Sequence, residues 1–155
     1  EIGEVTVHLN TRNPTVATVA PGFIEAARGA PGWTDEGWES CVTVPMTTLD
    51  ALIIRYGVPD FIKIDVEGHE AEVLAGLSTA VPALSFEFTT IQRNVAKTCV
   101  ERLCALGSYR FNLSLGEDHA LQHNDWLTAD ALQTDLDALP DAANSGDVYA
   151  VLNQE

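Results

Sequence analysis

Apolar residues recur along the chain with two periods, and each change of period marks a new element. Val5, Val7 and Leu9 alternate with Glu4, Thr6 and His8, which predicts a half-buried strand over 3–9. A stretch rich in Pro and Gly follows from Pro14 to Ser40, with a short helix predicted at 23–28 and a loop at 29–40. Residues 41–46, CVTVPM, read as a second strand. Over 47–57 the period becomes helical: Leu49, Leu52, Ile53 and Tyr56 share a face, Gly57 stops the helix and Pro59 follows. In DFIKIDV, residues 60–66, Phe61, Ile62, Ile64 and Val66 are apolar without clean alternation, as in a strand covered on both faces.

Gly68 then makes a turn into a helix at 69–77, with Ala71, Val73, Leu74 and Leu77 inward and Glu70 and Glu72 in its first turn. ALSFEF, 83–88, sets Leu84, Phe86 and Phe88 opposite Ser85 and Glu87. A helix at 94–107, a strand at 109–115, a helix at 128–139 closed by Pro140 and a strand at 147–152 complete the order. There is no internal repeat and no low-complexity segment.

Strands alternating with helices predict an α/β fold with a largely parallel sheet and helices on its faces. The strand at 61–66 is expected in the centre, beside 84–88, within a single domain over 1–155. Open α/β sheets bind ligands beyond the carboxyl ends of their strands. Asp65, Glu67 and His69 fall at one such end, and Glu87 and Thr89 at the next. Strands about 4.8 Å apart would join these residues into one acidic rim.

Composition narrows the partners. The chain has 155 residues, a mean hydropathy of +0.03, and 23 acids against 8 Lys and Arg, for a net charge of −15. Nucleic acids and anionic membranes need a basic face and are not expected as partners. No apolar run reaches the roughly 20 residues of a membrane span. Cys41, Cys99 and Cys104 show no metal-ligand spacing and, without a visible export signal, read as reduced thiols in a cytosol, packed as small core residues.

The segment VPMTTLDALIIRYGVPDFIKIDVEGHEAEVLAGL, followed by ALSFEF, resembles the FkbM-type methyltransferases, which carry a similar LD segment, an acidic strand end and a following strand that ends in Glu. The resemblance implies a Rossmann-like class I methyltransferase fold that uses S-adenosylmethionine (SAM) to methylate hydroxyls of sugars, polyketides or similar small molecules. It also implies that the family's Gly-rich cofactor loop and ribose-holding acid fall before residue 1. The chain would then be the carboxyl-terminal two thirds of the domain, lacking its first strands. GFIEAARGAPG, 22–32, has no strand-then-helix context to replace that loop, so weak SAM binding is expected. A sheet edge left open in this way would favour self-association.

Under this resemblance Asp65 contacts the cofactor's ammonium or the substrate hydroxyl; the plain alternative is a helix cap. Glu67 and Glu87 are candidate substrate or metal contacts, Thr89 a substrate contact and His69 a general base. Lys63 is expected to pair with one of the acids. Glu70 and Asp50 are expected to serve the starts of their own helices. Trp33 and Trp38 either clamp a sugar from a loop or fold back onto the protein. No metal ligand set is assigned. Three classes stay open: a SAM-dependent O-methyltransferase, a hydrolase holding Mg²⁺ or Mn²⁺ on Asp65, Glu67 and Glu87, and a non-catalytic interaction module.

Overall fold

The computed structural model describes residues 3–153. The elements run β1 (Gly3–Leu9), α1 (Pro21–Ala27), β2 (Ser40–Met46), α2 (Leu49–Tyr56), β3 (Ile62–Ile64), α3 (Glu70–Ala75), β4 (Ala83–Thr89), α4 (Arg93–Leu106), β5 (Tyr109–Leu115), α5 (Ala129–Ala138) and β6 (Ser145–Leu152), with short 3-10 turns at Pro14–Val16, Thr90–Gln92 and Asp141–Ala143. Side-chain caps account for two helix starts. Thr48 and Thr128 accept the backbone N–H of Ala51 and Ala131 and so begin α2 and α5.

β1 and β2 form a separate antiparallel ribbon, with Val5 opposite Val44. The main sheet has the order β3-β4-β6-β5. β3 pairs parallel with β4, Ile62 opposite Leu84 and Ile64 opposite Phe86. β6 runs antiparallel to both β4 and β5 and lies between them. β3, β4 and β5 therefore point the same way, with α3 and α4 as their crossovers, and β6 is the reversed strand. The expectation of a largely parallel sheet holds for these three directions but not for the ladders, two of which are antiparallel.

The adjacency of β3 and β4 is as expected, but β3 is not central. It is three residues long and, among the described residues, only β4 bonds to it. Its apolar run does not mark two covered faces: Phe61 is 48% exposed, and Asp65 and Val66 have already left the strand. α2 shows the same exposure. Leu49 and Ile53 pack on the core, whereas Leu52 is exposed and Tyr56 is 71% exposed. The inward face read from the sequence is half as wide as its apolar residues suggested.

The core lies on one face of the sheet. Leu84, Phe86, Phe88, Phe111, Leu113, Val148 and Ala150 pack there against Leu74 and Leu77, Ala96, Cys99, Val100 and Leu103 of α4, and Leu132 and Leu136 of α5. Cys99 is a core residue as expected, but Cys41 and Cys104 are exposed. Strand alternation sends Lys63, Ser85, Glu87, Asn112, Ser114, Asp147 and Tyr149 to the opposite face. Ser85, Asn112, Ser114 and Asp147 are nonetheless buried. A second small core gathers Val16, Ala20, Phe23, Ala27 and Trp33.

Gly146 lets β6 fit between its neighbours. A Cβ at this position would sit 2.2 Å from the Ser114 carbonyl oxygen and 2.9 Å from the Phe88 ring. The first obstacle is backbone and cannot swing aside. Gly146→Ala is expected to lower stability by about 1–3 kcal/mol, as overpacking does. Gly3→Ala, where a Cβ meets nothing within 4 Å, is expected to stay within about 0.5 kcal/mol. Urea unfolding of both variants checks the pair.

Candidate active site

The acidic stretch after β3 is a strained turn. Glu67 and Gly68 have φ of 51° and 89°, two left-handed residues in succession. At Glu67 this conformation costs on the order of 1–3 kcal/mol. At Gly68 only glycine fits, because a Cβ would lie 2.5 Å from Gln92 Oε1 and 2.8 Å from Phe23 Cβ. Three side chains hold the turn. Glu70, 2% exposed, accepts the backbone N–H groups of Val66 and Gly68 on Oε1, each at 3.2 Å. Thr18 donates its hydroxyl to the Glu67 carbonyl at 2.6 Å. Phe23 packs beneath Gly68 and is met edge-on by Trp33 and Trp38, at centroid distances of 5.1 and 6.0 Å.

The turn directs Glu67 inward, where it is 7% exposed. Asp65, Glu67 and Glu87 each offer a carboxyl oxygen, and the three oxygens lie within 4.8 Å of one another. Of the residues expected at these strand ends, the parallel register of β3 and β4 brings the three acids together. Oε2 of Glu67 and Oε2 of Glu87 are buried and have no hydrogen-bond partner. Burial, followed by the charges of Asp65, Glu70 and Glu36, pushes the Glu67 carboxyl up to about 7. Burial, followed by the charges of Glu67, Asp65 and Glu70, pushes Glu87 up as well, against the pull of Lys63.

Lys63 is the neighbouring cation. It bonds to Asp147 and lies 3.5 Å from Asp65. Burial disfavours its charge, but Asp147 and then Asp65 outweigh that and raise its affinity for the proton. The pairing expected for Lys63 is present, with a principal partner that sequence reading missed. Asp147 is the one charged residue in the apolar final strand, and the β4–β6 register sets it opposite Glu87.

The other candidates are placed differently. Thr89 is buried beside Glu87, where both line a cavity of about 10 Å³ with Gly68, Glu70 and Gln92. His69 stands at the start of α3 without capping it, 3.5 Å from Glu72, and lines another groove with Met46, Leu49 and Leu52. It is not part of the acid cluster. Trp33 is buried and donates its indole N–H to Asn144 Oδ1 at 2.9 Å. Trp38 donates to the Val16 carbonyl at 2.8 Å and borders a pocket of about 410 Å³ with His8, Ile24 and Arg28. Both tryptophans fold back and support the turn through Phe23. Asp50 does not cap α2; it accepts the Ser78 N–H at 2.8 Å and ties α2 to the end of α3.

Residues 2–128 match the family described as the Methyltransferase FkbM domain. The chain belongs to the FkbM methyltransferase family. No curated protein and no solved structure matches it. In this FkbM domain the acidic stretch after β3 forms the strained turn, and β4 supplies Glu87. No helix among the described residues is long and apolar enough to cross a membrane.

The buried acids make stability depend on pH. Carboxyls whose folded-state pKa is raised bind more protons folded than unfolded, so stability falls as pH rises from about 4.5 through 7 and above. In EDTA, Glu87→Gln is expected to lose less stability than the parent between pH 5 and pH 8. Urea midpoints at the two pH values measure the difference, and equal losses would place Glu87 in ordinary solvent.

Proposed function

We propose that this methyltransferase domain transfers a methyl group from SAM to a hydroxyl of a small metabolite such as a sugar or polyketide. The observation that carries this reading is the set of three carboxyl oxygens within 4.8 Å, two of whose residues hold buried, unpartnered oxygens. When bound, SAM supplies an electrophilic methyl on a sulfonium cation. The protein's task is to align the hydroxyl at roughly 3–3.5 Å and take up its proton.

The carboxyls suit that task. Asp65 is half exposed, at the open side of the cluster, and can orient an incoming hydroxyl or the ammonium of the methyl donor. Glu67 lies deeper, pushed up to about 7, which suits a general base working near neutral pH, and Glu87 beside it holds its proton more tightly still. Carboxylates in this protected site favour developing positive charge more than water does. The nucleotide end of SAM has no comparable cradle in the turn after β3. That turn carries Glu67 and Glu70 rather than further glycines, and Phe23 and Gln92 fill the space over Gly68.

Asp65→Asn keeps the shape and removes a charge that the fold does not need. It is expected to lower kcat on the order of 10²-fold, with Tm unchanged, in transfer of radiolabelled methyl from SAM to hydroxylated acceptors. Unchanged kcat, or a fall in Tm large enough to explain the loss, would return Asp65 to a structural role. Calorimetry with S-adenosylhomocysteine tests the donor: the 155-residue chain is expected to bind it weakly, and micromolar affinity would show that these residues suffice.

A further inference from the structure

We propose that Asp65, Glu67 and Glu87 form a binding site for a single divalent cation that prefers oxygen ligands. Three observations converge. The three carboxyl oxygens lie within 4.8 Å of one another. Three oxygens with no pair farther apart than 4.8 Å share a centre within about 2.8 Å of each, close to the 2.3–2.6 Å bonds of a Ca²⁺-sized ion. A smaller ion such as Mn²⁺ or Mg²⁺ needs them drawn closer together.

The second observation concerns Glu67. It is 7% exposed, yet its Oε2 has no hydrogen-bond partner, and Glu87 Oε2 is likewise buried and alone. Buried carboxyl oxygens are ordinarily hydrogen-bonded or bound to a metal. The neighbouring acid Glu70 behaves in the ordinary way, with Oε1 occupied by two backbone N–H groups. The backbone thus satisfies the acid that builds the turn and leaves the two that face each other unsatisfied.

The third is charge. Lys63 is the cation at the cluster, and it is held by Asp147, with Asp65 a second neighbour. Its charge is taken up mainly by Asp147, so the trio, once ionised, carries a net negative charge that a dication largely offsets. The half-exposed Asp65 supplies the way in. The set is oxygen-only, without His or Cys, which selects Mg²⁺, Mn²⁺ or Ca²⁺ over zinc or copper. The ion's chemical use rests on the methyl-transfer reading: a coordinated hydroxyl is a stronger acid and a better nucleophile.

Mn²⁺ alone is the probe, followed by electron paramagnetic resonance on the 155-residue chain in 150 mM KCl. One ion per chain is expected, with a dissociation constant on the order of 10⁻⁵–10⁻³ M, displaced by Ca²⁺ or Mg²⁺. Glu67→Gln and Glu87→Gln are expected to weaken binding at least about tenfold, since each removes one charged ligand. Asp65→Asn does the same at a half-exposed position where folding is not at stake. Glu101→Gln, exposed on α4, is expected to leave binding unchanged.

No saturable binding up to about 5 mM, or binding undiminished in all three cluster variants, overturns the site. Methyl transfer that persists in EDTA, in a chain that binds no Mn²⁺, overturns the site and leaves the functional reading standing. One bound Mn²⁺ lost in the cluster variants supports the site, even where no acceptor is methylated and the functional reading falls.

Discussion

The left-handed pair Glu67–Gly68 is the constraint on which the rest of the site depends. β3 ends at Ile64 and α3 begins at Glu70, so five residues must reverse the chain's direction and still present carboxylates inward. Extended or helical backbone at position 67 would carry its side chain elsewhere. The protein forces the conformation from several sides: Glu70 from within the turn, Thr18 from the β1–α1 connection, and Phe23 with its two tryptophans from below. The second core is thus the footing of the turn, which explains why a loop rich in Gly and Pro contains two tryptophans.

Much of this could be read from the chain, and the misses share a cause. Element order was legible because periods of 2 and 3.6 alternate cleanly, and the meeting of Asp65 with Glu87 was legible because residues at the ends of adjacent strands must converge. Strand order was not. An apolar run such as Phe61–Val66 looks the same in a central strand as in an edge strand whose residues remain exposed, and periodicity alone cannot separate the two. Asp147 was missed for a related reason. It is distant from Lys63 in sequence and reaches it only because β6 inserts beside β4. The tryptophans read evenly as clamp or packing, and their hydrogen bonds to Asn144 and Val16 are contacts that no local pattern encodes.

The two faces of the sheet do different work. One is aliphatic and aromatic and carries three helices, and its burial supplies most of the driving force for folding. The other carries Lys63, Ser85, Glu87, Asn112, Ser114 and Asp147, several of them buried. Polar groups kept from water add little to net stability and cost much when unpaired. That face is therefore where stability has been given up, and the unpaired oxygens of Glu67 and Glu87 lie at its edge.

The position of β6 also bears on how the fold closes. Residues 145–152 occupy the space between β4 and β5, which precede them in sequence, so these two strands cannot be bridged until residues 145–152 have been made. Until then α4 can draw Phe86 and Phe111 toward a common cluster, but the hydrogen-bonding edges of both strands stay open to any extended peptide nearby. The fold's most vulnerable interval lasts until residues 145–152 are made, and β4 and β5 are then joined in one step rather than strand by strand.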